Sequence, residues 1–427
     1  MEKLIFRGAG LRVTGRRDPG ARTHLFGARF RLAGSIAAGI VLVSTSCAAF
    51  RPASGLAKPS QTIAPTPARL LSGTATERAT KIPPQRTPTA EPTVTPQPTS
   101  PQAIDQLTGL PVSDPSVLSR PVVAIKVSNY PRTARPQAGL SYADLLFEYY
   151  QEGGETRFQA LYLSQDVTKV GPIRSGRIVD ALLQKMYQSI LVFNGADSRV
   201  WDWFALQNIT SKLYEGPAPC PALCREYTPT APGFPAQAQI NSLYGNTAAL
   251  RKAAVAVGIP SLVPVLKGMV FSVAPPAGGK PATDLLVRFL TDNARAEWRY
   301  DPGTDKYLRW SETDSGGMAP LTDRLNGQQL SVSNLIVVSV PFNRRHEPDH
   351  IEMYDVNLLG AGGALFFRDS QEWQGTWRVA DPNRPLQFFG ENGPFALHPG
   401  VTWIALVGES STSSNIGDSW RVEFALP

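Results

Sequence analysis

Residues 145–163 read LLFEYYQEGGETRFQALYL, and this stretch decides the fold. Leu145 to Tyr150 is a β-prone run of aliphatic and aromatic side chains, Gly153-Gly154 forces a turn, and Arg157 to Leu163 supplies the next strand. Upstream, Val122-Val123-Ala124-Ile125-Lys126-Val127 reads as a buried strand, and Pro131 and Pro136 break the chain after it. Downstream, Gly171-Pro172 predicts a helix running to about Tyr187, with Ile178, Leu182 and Met186 at helical spacing. Ile190 to Phe193 is a strand ended by Asn194-Gly195. Interleaved strands and helices predict an α/β layered domain with a mixed sheet over residues 105–275.

From 276 to 427 the texture changes to short strands and turns. Leu285–Leu290 and Ala294–Tyr300 suit a hairpin, and Asp301-Pro302-Gly303 is a turn before Tyr307-Leu308-Arg309-Trp310. Further strands are expected at Leu335–Val338, Gly363–Phe367, Gln374–Trp377 and Thr402–Leu406. The expected class is α+β overall, with a smaller β-rich C-terminal domain of sandwich or barrel-like form.

The first hundred residues carry an address. Eight of the chain's 42 basic residues and two of its 35 acidic residues fall in 1–46, which leaves 34 against 33 beyond them. The basic character therefore belongs to the leader, and a nucleic-acid partner, which needs a basic patch on the folded part, is disfavoured. Leu32 to Val43 reads LAGSIAAGIVLV, short of the roughly 20 apolar residues of a membrane span and suited to a signal-peptide core. Ser44-Thr45-Ser46-Cys47 follows. We read 1–47 as a signal peptide with a lipobox-like end and Cys47 as the lipidated residue, the alternatives being plain secretion and an uncleaved anchor. Residues 51–104 hold 11 Pro and no Phe, Tyr or Trp, so 48–104 is expected to be a disordered tether. The expected location is the outer face of the cytoplasmic membrane, with a cell-wall component or an envelope protein as partner. Cys220 and Cys224 read as a local disulfide, with free thiols or a metal pair as alternatives.

Several motifs together resemble a known family. Arg120-Pro121, Asn129-Tyr130-Pro131, Ala134-Arg135-Pro136-Gln137-Ala138-Gly139-Leu140, Glu152-Gly153-Gly154-Glu155-Thr156-Arg157-Phe158 and Gly171-Pro172-Ile173-Arg174-Ser175-Gly176-Arg177 resemble the N-terminal domain of the YerB-like lipoproteins. Leu359-Gly360-Ala361-Gly362, Gly375-Thr376-Trp377 and His398-Pro399-Gly400-Val401-Thr402-Trp403-Ile404 are similar to their C-terminal domain. The resemblance implies the two-domain architecture and the lipoprotein address. It implies no activity, because the family is one of unknown function.

The residues offer two chemistries. Arg174, Ser175 and Arg177 stand at the start of the predicted helix, where free backbone N–H groups attract anions. With Arg135 and Arg157 they form a candidate anion pocket, set against a purely structural network with Asp144, Glu148 and Glu152. Those carboxylates are the alternative, a glycan or peptide hydrolase. On a strand, Glu148 and Glu152 share a face but lie roughly 13 Å apart, beyond the about 5–9.5 Å of glycosidase pairs. His346-Glu347-Pro348-Asp349-His350 with Glu352 offers metal-type side chains, but Pro348 prevents a helical ligand pair, and we expect a solvated loop and no metal. No P-loop and no Gly-x-Gly-x-x-Gly motif is present, so no cofactor is expected. The favoured role is non-catalytic binding of an envelope component.

Overall fold

The computed structural model describes residues 102–226, 240–345, 349 and 352–427. The stretch quoted above forms β2 (Leu145–Tyr150) and β3 (Thr156–Tyr162), antiparallel and joined across Gly153 and Gly154, both at positive φ. Their Leu, Phe, Ala and Tyr side chains are buried on both faces, as continuous apolar runs require. On the far side of β3 lies β1 (Val123–Ser128), antiparallel to it; β4 (Ile190–Val192) and β5 (Lys212–Leu213) then continue the sheet in parallel. Helix α1 (Ile178–Met186) precedes β4, and α2 (Ser198–Leu206) links β4 to β5. Helix α3 (Thr247–Ala256) follows later in the chain.

The seven-stranded sheet contains β6 (Asp284–Arg288), β7 (Arg295–Asp301) and β8 (Lys306–Glu312), running antiparallel, and β14 (Ser419–Glu423) parallel to β6. Five further strands of the C-terminal half are β9 (Asn334–Val340), β10 (Gly360–Arg368), β11 (Gln371–Val379), β12 (Gln387–Gly390) and β13 (Thr402–Gly408). These five join β1–β5. In one 12-stranded sheet, β13 pairs in parallel with β2 on one side and with β9 on the other. The register sets Leu146 beside Trp403 and Glu148 beside Ala405. The fold is α+β, mostly strand, with a mixed sheet and a β-rich C-terminal part. A disulfide joins Cys220 to Cys224.

One element differs from expectation. The helix predicted from Gly171 begins at Ile178. Residues 171–174 are extended instead, because their backbone groups are taken by neighbours. Ser128 N donates to Pro172 O at 2.9 Å, Ile173 N to Leu243 O at 2.7 Å and Arg174 N to Lys126 O at 2.9 Å. A segment that adds to a strand end cannot also form helical hydrogen bonds.

The two sheets interlock at Glu148, which is 1% exposed. It accepts from Thr156 Oγ1 at 2.9 Å, from Trp403 Nε1 at 3.2 Å and from Arg309 Nη2 at 3.2 Å. Arg309, on β8, is fully buried between the rings of Trp298 and Trp403, 5.0 and 5.3 Å from their centroids. Removing one member strands the other charge, which typically costs about 3–5 kcal/mol. Glu148→Gln is therefore expected to lower unfolding free energy by about 3–5 kcal/mol in urea titration; a loss below about 1 kcal/mol would show the pair is dispensable.

Glu372 on β11 is a buried carboxyl whose two oxygens have no hydrogen-bond partner among the described residues. Burial pushes it up to about 7, with Lys280 opposing. The folded state thus keeps a proton that the unfolded chain has lost between about pH 4.5 and 7, so stability falls as pH rises through that window. Glu372→Gln removes this pH dependence. Thermal melts are expected to show the variant above the natural chain at pH 8, with the gap closing towards pH 4.5.

Candidate functional site

In open sheets with parallel strands and crossover helices, ligands bind beyond the carboxyl ends of the strands. Here the carboxyl ends of β1, β2 and β4 converge with the starts of α1 and α2. Val127 bridges to Ile173 at the end of β1, and Gly176 N donates to Gly195 O at 2.9 Å, joining the approach to α1 to the turn after β4. Asp197 caps α2 by accepting from Arg199 N. Asp180 accepts from Arg177 N at 2.6 Å and so fixes the start of α1.

Asp180 also reaches into the sheet. It is fully buried, accepts from Lys126 Nζ at 3.0 Å and contacts the Tyr149 hydroxyl, which lies between it, Lys126 and Gln159. Burial pulls the Lys126 ammonium down to about 7, and the Asp180 charge opposes this. The network ties three strands to α1 directly beneath Arg177. The sequence signal for it is slender: Lys126 is the one charge inside a β-branched run, and Asp180 lies 54 residues away.

Above this base, Arg157, Arg174 and Arg177 gather around Glu152 and Glu155. Arg177 grips Glu152 through both Nε (2.9 Å) and Nη2, and its Nη1 donates to Gly176 O. Burial works against the Glu152 charge, but the Arg177 and Arg157 guanidiniums outweigh it and hold the carboxyl below its usual range. Arg157 is 5% exposed and donates through Nη1 to Ser175 O at 3.1 Å, while its Nε has no partner. Burial, with Arg177 and Arg174 alongside, pushes it down to about 9. Arg174 is also lowered, by burial first; Glu155 opposes this and Arg177 adds to it. Its buried Nε has no partner, and no hydrogen bond or ion pair of its guanidinium is formed with any described residue. Glu155 is raised by burial against the pull of Arg157 and Arg174.

The structure thus brings together Arg157, Arg174, Ser175 and Arg177 of the predicted anion pocket, and it draws Arg135 away. Arg135 donates to Glu312 O and Oε1 at 2.9 and 2.8 Å and to Asn129, joining β8 to the loop after β1. The three carboxylates proposed for hydrolysis are committed to different partners. Asp144 accepts from Leu163 N, Ser164 N and Ser164 Oγ, Glu148 takes part in the sheet interlock, and Glu152 pairs with Arg177. Cys47, His346 and His350 lie outside the described residues. Asp349 pairs with Arg199, and His398 Nδ1 is 2.7 Å from Asp369 Oδ1. Trp377 and Trp403 are core residues, and Trp201 packs on Phe193, Phe204 and Tyr214.

Comparison with known proteins places this geometry. Residues 107–259 match the model described as the N-terminal domain of a protein of unknown function (DUF3048), and residues 285–404 match that of its C-terminal domain. The "Putative lipoprotein YerB" of Bacillus subtilis (strain 168) is 28% identical over 318 residues, covering 72% of this chain and 87% of that protein. The crystal structure of YerB protein from Bacillus subtilis superposes with a TM-score of 0.58 at 25% identity, covering 71% of this chain and 96% of the other. With both domain models matched in order, and sequence and fold agreeing over most of the described residues, the chain belongs to the DUF3048 family of YerB-like proteins.

Proposed function

We propose that this protein is a lipid-anchored, extracytoplasmic binding protein for an anionic component of the cell envelope. The anchor reading rests on the basic leader, the short apolar core and Cys47, together with the lipoprotein name of the Bacillus relative. The observation that carries the binding reading is the state of Arg174. A guanidinium brings five N–H donors in a planar fork suited to carboxylate or phosphate. Those of Arg174 are not spent within the described protein, and Arg157 beside it keeps an unfilled Nε. Three cations face two carboxylates, one of which, Glu152, is already gripped by Arg177. An incoming oxyanion would supply the missing charge and the missing acceptors together.

The test is a thermal-shift screen of the full chain against peptidoglycan fragments, polyglycerol-phosphate chains and neutral sugars. A ligand at 100 times its dissociation constant stabilises the fold by about 2.7 kcal/mol. The expected result is a shift with acidic probes alone, lost in Arg174→Ala and kept in Arg135→Ala, whose side chain is engaged with Glu312. Shifts of equal size in the Arg174 variant and the natural chain would refute the reading.

A further inference from the structure

A cavity of about 280 Å³ opens beside the arginine cluster, with Gln151, Ser175, Arg177, Glu352 and Tyr354 in its wall. Its chemistry is the reverse of the cluster's. Arg177 and Glu152 neutralise each other, and Asp197 at the rim is held by Arg199. Glu352 has no such counterpart. Its Oε1 accepts from the hydroxyls of Tyr150 at 2.8 Å and Tyr354 at 2.7 Å, and its Oε2 accepts from Gly153 N at 2.8 Å. All three donors are neutral, and among the described residues no lysine, arginine or histidine forms an ion pair with Glu352. The carboxylate therefore presents to the cavity a negative charge that no ion pair with a described residue neutralises.

A second observation is independent of that charge. Gln151 is 3% exposed and lines the same cavity, and its Oε1 is buried with no hydrogen-bond partner among the described residues. A buried acceptor left unfilled is costly and uncommon. Gln151 lies between Tyr150 and Gly153, the two residues of that segment that hold Glu352, so acceptor and carboxylate belong to one wall.

We infer that this cavity is a subsite for a protonated primary amine. An ammonium carries three N–H donors and a unit charge; one donor answers Glu352, a second answers Gln151 Oε1, and the charge is neutralised at the carboxylate. The inference rests on the anion-binding reading only for the far end of the ligand. With Arg174 and Arg157 next to the cavity, a complete ligand is zwitterionic, an amine and an acidic group on one small skeleton.

The test uses O-phosphoethanolamine, glycerol 1-phosphate and ethanolamine as probes, titrated calorimetrically into the full chain. Phosphoethanolamine is expected to bind at least about tenfold more tightly than glycerol phosphate, the scale of one charged hydrogen bond. Glu352→Gln keeps the side chain's shape and is expected to abolish that preference while leaving glycerol phosphate binding unchanged. Gln151→Met, a second route if the first variant does not fold, is expected to reduce the preference severalfold. Arg174→Ala is expected to weaken both phosphates and to leave ethanolamine untouched. Equal affinity of the two phosphates for the natural chain, or a preference that survives both wall variants, overturns the amine subsite and leaves the anion reading standing. Ethanolamine binding as tightly as phosphoethanolamine, with no binding of glycerol phosphate, supports the subsite and overturns the anion reading. No binding of any probe overturns both.

Discussion

The buried charge of Glu148 is the constraint on which the rest of the molecule depends. A carboxylate removed from water on a central strand must find donors and a countercharge. Here they come from Thr156 on the neighbouring strand, from Trp403 on the adjoining C-terminal strand and from Arg309 on the second sheet. Trp298 and Trp403, 4.9 Å apart and edge to face, enclose the guanidinium and exclude solvent from it. Residues separated by 255 positions are thereby brought into one hydrogen-bonded unit. The carboxyl end of β2, which supplies Gln151 and Glu152 to the site, is held from within the same unit.

The site is built on a second buried polar network and inherits its rigidity. Lys126 and Asp180 are fully buried and paired, and Asp180 also holds the amide of Arg177. Three guanidiniums packed together repel one another, and burial removes the water that would screen them. Both effects work against charge on Arg157. Such a cluster persists because the strands and helix starts beneath it are fixed by other contacts. The resulting donors are preorganised, so an arriving anion needs little side-chain ordering.

The basic cluster and the acidic cavity share residues. Ser175 accepts from Arg157 through its carbonyl and also stands in the cavity wall, while Arg177 faces the cavity with Glu152 neutralising it. Opposite potentials within one small region favour ligands that carry both signs over those that carry one. Orientation as well as affinity then follows from charge placement.

What the sequence determined by itself was local. The alternation of apolar runs and Gly or Pro breaks located β1–β4 and the hairpin β6–β7, and the basic leader with its Pro- and Thr-rich sequel raised the expectation of export. The cluster of Arg157, Arg174 and Arg177 was legible because the motif around Gly171–Arg177 is dense in charge. The tertiary structure decided the rest. Periodicity gives a strand but not its neighbour, so the joining of β2 to β13, and hence of both parts in one sheet, was hidden. Arg135 looked the equal of Arg157 until Glu312, 177 residues away, proved to be its partner. The segment 171–174 carried a helix signal in its Gly-Pro, yet it is extended because Ser128, Leu243 and Lys126 offered hydrogen bonds that only the folded chain brings within reach. Composition and spacing record what a residue can do; which partner takes up that capacity depends on what the fold places within about 3 Å of it.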